Sequence, residues 1–119
     1  VENILPQRLG RLRGKSDFER VFAKGRRIQH PLATLLLLAC EVEITRAGFV
    51  VSRKFGGAVK RNRVRRRLRE ALRLLFAQAR IAGAWDMIFI PRSRLADADF
   101  KSIRAAVEEL LIHAEVLVS

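Results

Sequence analysis

Ten of the twenty-one residues from Arg53 to Arg73 are basic and one, Glu70, is acidic, yet apolar residues recur through the same stretch at helical spacing. Val64, Leu68, Ala71, Leu72, Leu75, Phe76 and Ala79 share one side of a helix that turns about 100° per residue. A segment this charged and this regularly apolar has to fold as a long helix, starting near Ala58 or Val59, running to about Arg80 and docked on a core by one side. Its charge is mounted on structure. Arg66, Arg69 and Arg73 follow at i, i+3 and i+7 opposite the apolar stripe, with Asn62 one turn earlier and Arg63 and Arg67 on the flanks. Like charges one turn apart repel by about 0.2–0.5 kcal/mol each, so such a face is self-defeating unless a polyanion covers it.

The charge is also local. Of a net +12, the segment supplies nine, whereas residues 85–119 carry four basic and six acidic side chains. A field of this kind speeds encounter with nucleic acid or another anionic surface. With 119 residues, half of them hydrophobic, the chain reads as one domain over 1–119, with 1–15 a basic, flexible arm (Arg8, Arg11, Arg13 and Lys15, interrupted by Gly10 and Gly14). A single cysteine, Cys40, without a Cys/His cluster, leaves no disulfide framework and argues against structural zinc, so a reducing, cytoplasmic setting is expected. The apolar run Leu32–Cys40 is nine residues long, against about twenty for a membrane span. Val1–Pro6 shows no secretory pattern.

Ser16-Asp17-Phe18-Glu19 reads as a capping box opening a short helix that closes at Gly25 in a left-handed cap, with Phe18, Val21 and Phe22 on one face. Leu32–Cys40 and Ala47–Phe55 read as antiparallel neighbouring strands joined by a loop over Glu41–Arg46. Gly56-Gly57 precedes the long helix. Trp85–Ile90 is a strand stopped by Pro91, with Trp85 in the core, and a last helix from about Asp97 to Ala114 buries Phe100, Ile103, Val107, Leu110 and Leu111, before a candidate strand in Glu115–Val118. The order is helix, strand, strand, helix, strand, helix, an α+β two-layer sandwich.

Arg61 has the azimuth of Leu68 and Leu72 but sits at the helix N-terminus, where a guanidinium is unfavourable beside unpaired amides unless an anion is present. Arg61, Asn62 and Arg63 beside the Gly56-Gly57 turn therefore read as a phosphate-gripping corner. Phe18 and Phe22 are either core or platforms on which unpaired bases stack. Catalytic material is sparse: His30 and His113 stand alone, Asp97 and Asp99 open a helix, Glu108 and Glu109 lie on an exposed face, and the acids are scattered away from the basic strip rather than converging as two-metal chemistry requires. No catalytic residue and no protein-borne metal site is expected.

The run Gly48-Phe49-Val50-Val51-Ser52-Arg53-Lys54-Phe55-Gly56-Gly57-Ala58-Val59-Lys60-Arg61-Asn62-Arg63-Val64-Arg65-Arg66 closely resembles the signature of the bacterial ribonuclease P protein component. Leu9–Gly25, Trp85–Pro91 and the last helix extend the likeness over nearly the whole chain. The resemblance implies a fold like the second domain of ribosomal protein S5, with a left-handed βαβ crossover, against the usual hand. It implies a ribonucleoprotein endonuclease whose catalytic RNA and Mg²⁺ perform hydrolysis, removing the 5′ leader of precursor tRNA, with no membrane and no obligate protein partner. Carried over, Arg53, Lys54, Arg61, Asn62, Arg63, Arg66, Arg67 and Arg69 would contact the catalytic RNA. Phe18, Phe22, Ser52 and Lys15 would hold the single-stranded leader. Where the first strand of many members presents an aromatic to the leader, the nearest residue here is Leu35. Charge alone equally supports a structural RNA binder such as a ribosomal protein or chaperone. A stand-alone nuclease is disfavoured by the scattered carboxylates, and DNA binding lacks a helix-turn-helix or dimerisation signal.

Overall fold

The computed structural model describes residues 9–40, 44–78 and 80–118. In chain order the elements are β1 (Leu9–Arg11), α1 (Lys15–Lys24), β2 (Arg26–Gln29), β3 (Ala33–Ala39), β4 (Thr45–Phe49), α2 (Ala58–Gln78), β5 (Arg80–Ile81), β6 (Trp85–Pro91), α3 (Phe100–His113) and β7 (Leu117–Val118), with 3-10 turns at Arg53–Phe55 and Ser93–Asp97. Five strands form a mixed sheet in the order β1-β4-β6-β3-β2, and β5 pairs with β7 apart from it. β6 is antiparallel to β3 and parallel to β4, which is itself parallel to β1.

Strand alternation sorts the sheet into two unequal faces. Leu35, Leu37, Ala47, Met87 and Phe89 join Val64, Leu68, Leu72 and Leu75 of α2 and Ile103, Val107, Leu110 and Leu111 of α3 in the main core. Phe49 stacks on Phe89 there, ring centroids 5.7 Å apart. The opposite face carries Leu36 and Ile88, covered by Val21 of α1 and by Leu12, with Phe18 half-buried beside them. Asp99 caps α3, its Oδ1 accepting from the Ser102 amide at 2.8 Å. No helix among the described residues is long and apolar enough to cross a membrane.

Several expectations are corrected. β3 and β4 are not neighbours: β6 lies between them, because a strand that follows a helical crossover can insert parallel to β4 while completing its other edge with β3. The second of the expected strands is shorter and earlier, and Arg53–Phe55 has turned into a 3-10 helix. β1 and β2 were not foreseen; Leu9–Arg11, assigned to the flexible arm, pairs with β4, and the polar Arg26–Gln29 pairs with β3 at the sheet edge. Glu41–Glu43 and Ala79 lie outside the described residues. The capping box does not form: Gly14 at φ 83° turns the chain so that α1 starts at Lys15, placing Ser16 inside it. Gly25 is extended rather than left-handed. It is glycine for lack of room, since a Cβ would lie 2.6 Å from the Val21 carbonyl oxygen. Leu35 faces the main core, and its neighbour Leu36 faces α1. His30 does not stand alone, its Nε2 lying 2.6 Å from Glu109 Oε2.

One buried charge stitches α1 to the sheet. Asp86 of β6 is fully buried on the α1 side, where Arg46 of β4 donates to both its oxygens, Nε to Oδ1 and Nη2 to Oδ2, each at 2.8 Å. Arg20 of α1 donates to Oδ2 as well. Burial pushes the Asp86 carboxyl up, but the hydrogen bonds and charges of Arg46 and Arg20 outweigh it and hold the group below its ordinary value. Leaving two guanidiniums without their carboxylate costs on the order of 3 kcal/mol, so Asp86→Asn is expected to destabilise strongly at neutral pH. A folded pKa below the unfolded value of about 3.9 lends stability that is complete above that value and is withdrawn as pH falls through the folded pKa. Urea midpoints against pH should therefore show the wild-type advantage constant above about pH 5 and shrinking below about pH 4. An advantage that persists unchanged in acid would mean that another group carries the linkage.

Candidate nucleic-acid interface

α2 begins where the chain leaves β4 through the Arg53–Phe55 turn. Ser52 Oγ accepts from the Lys54 amide at 3.2 Å, and Gly56, at φ 118°, reverses the backbone in a conformation that a side chain resists. The next turn fixes α2, Arg61 N donating to the Gly57 carbonyl at 3.0 Å. Because Val64, Leu68, Ala71, Leu72, Leu75 and Phe76 are buried, the basic residues between them are forced outward.

Arg53, Lys54, Asn62, Arg63 and Arg66 are exposed, and Arg61 is half-buried. The Arg61 Nε has no hydrogen-bond partner although it is buried. With no acid in the first turn of α2, this corner presents a cationic donor set without a counter-charge. Asn62 is engaged locally, its Oδ1 accepting from Arg65 Nη1 at 2.7 Å. The other two expected contacts leave the outer face. Arg67 turns toward α3 and donates to the Ala98 carbonyl at 3.1 Å. Arg69 turns toward the β1–β4 edge, its guanidinium 5.0 Å from the centroid of the Phe49 ring. Burial lowers the Arg69 pKa, and the nearby charges of Arg11 and Arg65 lower it further. Arg73 is neutralised by a bidentate pair with Glu70, whose carboxyl that bond holds below its ordinary value.

Between α1 and α2, over the β1–β4 edge, runs a groove of about 370 Å³. Leu12, Ala47, Gly48 and Phe49 form its floor, Phe18 one wall, and Arg11, Arg13 and Arg69 surround it with positive charge. Apolar floor, aromatic wall and guanidinium rim are the parts with which unpaired bases and their backbone are held. Gly48 makes this possible: a Cβ there would lie 2.5 Å from Phe18 Cζ, so only glycine lets the ring lie across the strand. The alternatives left open for the two phenylalanines thus separate. Phe18 is half-buried in the groove wall, and Phe22, 48% exposed, points away from both cores. Of the expected leader residues, Phe18 lines this groove; Phe22, Lys15 and Ser52 do not, Lys15 reaching Glu19 at 3.8 Å and Ser52 serving the turn before α2. Gly48, Phe49 and Asp86 were missed. The available signals were a glycine inside an apolar strand, which marks close approach, and a lone acid inside Trp85–Pro91, which marks a buried pair.

An α+β frame carrying a single-signed helix face beside an aromatic groove defines a folded RNA-binding module. A family model described as Ribonuclease P matches residues 7–115. The ribonuclease P protein component of Roseiflexus castenholzii is 44% identical over 112 residues, which cover 93% of this chain and 90% of that protein. The solved ribonuclease P protein of Staphylococcus aureus is similar at a TM-score of 0.80 and 28% identity, over 91% of this chain and 97% of that one. That of Thermotoga maritima gives 0.77 and 33%, over 87% and 96%. The chain belongs to the bacterial ribonuclease P protein component family. It is thus a protein subunit of an endoribonuclease ribonucleoprotein that processes tRNA 5′ ends, and its membership implies the ribonuclease P RNA as partner.

Gly48→Ala is expected to push the Phe18 ring off the strand and into the groove. Because the atom that must move is the far end of a half-exposed side chain, thermal stability should change little. Affinity for a short single-stranded RNA should fall by on the order of 1 kcal/mol, the low end of what one stacked base contributes. Fluorescence anisotropy with a labelled oligonucleotide reads this directly, and unchanged affinity would take Gly48 and Phe18 out of the binding surface.

Proposed function

We propose that the chain divides two RNA contacts between its faces. The N-terminal half of α2 and the turn before it, through Arg53, Lys54, Arg61, Asn62, Arg63 and Arg66, grip phosphates of the catalytic RNA, with Arg67 and Arg69 at the margins. The groove walled by Phe18 receives the single-stranded 5′ leader of precursor tRNA, with Lys15 and Phe22 of α1 and Ser52 of the turn before α2 outside its lining and reached only by a leader that extends beyond it. The observation that carries the first contact is the unneutralised corner at the start of α2, where Arg53, Lys54, Arg63 and Arg66 are exposed, Arg61 is half-buried and no acid lies in the first turn. Phosphate oxygens against these donors supply the missing counter-charge and relieve the repulsion among them.

The hydrolytic chemistry belongs in this reading to Mg²⁺ held by the RNA. Among the described residues Asp86 is consumed by Arg46 and Arg20, Glu70 by Arg73 and Asp99 by its cap, and no three His, Cys, Asp or Glu side chains converge on a point that an ion could occupy. The chain then contributes binding and orientation. It raises the affinity of the ribonucleoprotein for substrates that still carry a leader.

Multiple-turnover cleavage of a leader-bearing precursor tRNA, at near-physiological Mg²⁺, is expected only weakly with the RNA alone, not at all with the protein alone, and efficiently with both. Absence of stimulation despite tight RNA binding would favour a structural or chaperone role. Arg61→Ala and Arg63→Ala are each expected to weaken assembly with the catalytic RNA and to flatten the log–log salt dependence by about 0.7–0.9 per lost phosphate contact. Phe18→Ala should leave assembly intact and reduce the preference for precursor over mature tRNA. An unchanged salt slope with normal assembly would remove those arginines from the interface.

A further inference from the structure

We propose that Asp86, Arg46 and Arg20 are positioning residues for leader recognition: they fix the turn of α1 that carries Phe18, and so set the width of the groove. The inference rests on the reading of that groove as the leader site. It starts from how little else holds α1. Val21 is the residue of α1 that is fully buried, and the apolar cluster it joins on that face is small, whereas the other face of the sheet holds the core shared by α2 and α3. The ionic cluster is the stronger constraint. Asp86 and Arg46 occupy paired positions on β6 and β4, and Arg20 reaches the same carboxylate from the helix. Asp17 adds a second tie, its two oxygens 3.5 Å from Arg20 and from Arg46.

Phe18 sits between Asp17 and Arg20 in sequence, so both anchors lie within the turn that presents its ring. That ring crosses Gly48, two residues beyond Arg46 on the same face of β4. The same two strands that hold the carboxylate and its fork therefore form the floor under the ring. Charged groups suit this task because bidentate hydrogen bonds fix direction and distance, where an apolar contact allows sliding. Buried ion clusters contribute little net stability relative to apolar replacements of equal volume, and their best-attested use is in fixing register. This yields a signature that a merely structural role lacks: stability and recognition should separate.

The experiment compares three variants of the protein reconstituted with the catalytic RNA. In Arg20→Met the Asp86–Arg46 fork stays intact and only the tie to α1 is cut; Arg20→Lys restores a charge there; and Arg20→Met/Arg46→Met/Asp86→Leu replaces the whole cluster with apolar volume. Thermal midpoint, affinity for the catalytic RNA, and the ratio of affinities for leader-bearing and mature tRNA are measured for each, with Phe18→Ala in parallel. The triple variant is expected to melt at or above the wild-type temperature and to assemble normally, while its precursor-to-mature ratio falls about tenfold, the scale of one lost stacked base. Arg20→Met should show the same loss of ratio, and Arg20→Lys should recover part of it. If the triple variant fails to fold, Arg20→Met decides alone. A wild-type ratio in Arg20→Met overturns the proposal, as does a ratio that merely follows the melting temperature across the series. Should Phe18→Ala also leave the ratio unchanged, the leader reading itself fails; if Phe18→Ala lowers it and Arg20→Met does not, the positioning role alone fails.

Discussion

The placement of β6 between β3 and β4 is the constraint on which the remaining architecture depends. Seven consecutive residues of β6 pair with β3 on one edge and four pair with β4 on the other, so it is the strand through which both halves of the sheet are joined. Its alternation then serves two layers at once. Met87 and Phe89 form the floor under α2 and α3, while Asp86 and Ile88 carry α1. Because β4 and β6 run parallel, the chain between them has to cross the sheet, and α2 is that crossing. The helix that displays the positive charge is thus the one whose two ends are both fixed by the central strands.

What could be read from the sequence follows from the range of the forces involved. The long helix, its buried stripe and the last helix are set by local periodicity: Val64, Leu68, Ala71, Leu72, Leu75 and Phe76 are buried as the spacing requires, as are Ile103, Val107, Leu110 and Leu111, while Phe100 at the start of α3 is only half-buried. Strand partners are not set locally. Nothing in Leu32–Cys40 or in Ala47–Phe55 shows that a third strand, nearly forty residues after the second, separates them. β1 and β2 were missed for a related reason: Leu9–Arg11 and Arg26–Gln29 are short, partly polar edge strands, held by backbone pairing to a neighbour more than by apolar content of their own. The capping box failed where one local signal competed with another, the positive φ of Gly14 defining the helix start before Ser16 could.

The site divides along the same line. Arg-Asn-Arg beside a glycine turn was legible because it is contiguous, and a helix periodicity argument already put Arg61 in an uncomfortable place. The directions of Arg67 and Arg69 were not, since they depend on what flanks α2: the Ala98 carbonyl on one side and the face of Phe49 on the other. Likewise Phe18 and Phe22 are separated by one helical turn and look equivalent in sequence. Only the presence of Gly48 opposite one of them draws that ring onto the sheet and leaves the other exposed.

The two faces of the sheet also differ in what holds them, and that difference bears on function. Large aliphatic and aromatic side chains hold α2 and α3 to one face, which lets α2 bear several unneutralised guanidiniums without losing its place. Repulsion of a few tenths of a kcal/mol per pair is small against burial of Leu68, Leu72 and Leu75, each contributing about 1.5–3 kcal/mol. The α1 face has no such reserve. α1 is held there by Val21, by the half-buried Phe18 and by a fork of charges whose hydrogen bonds fix direction, which is what the proposed leader reading asks of an aromatic wall. A deeper apolar seat for α1 would have added stability at the expense of the open surface over Gly48, the space that the proposed leader reading reserves for a base.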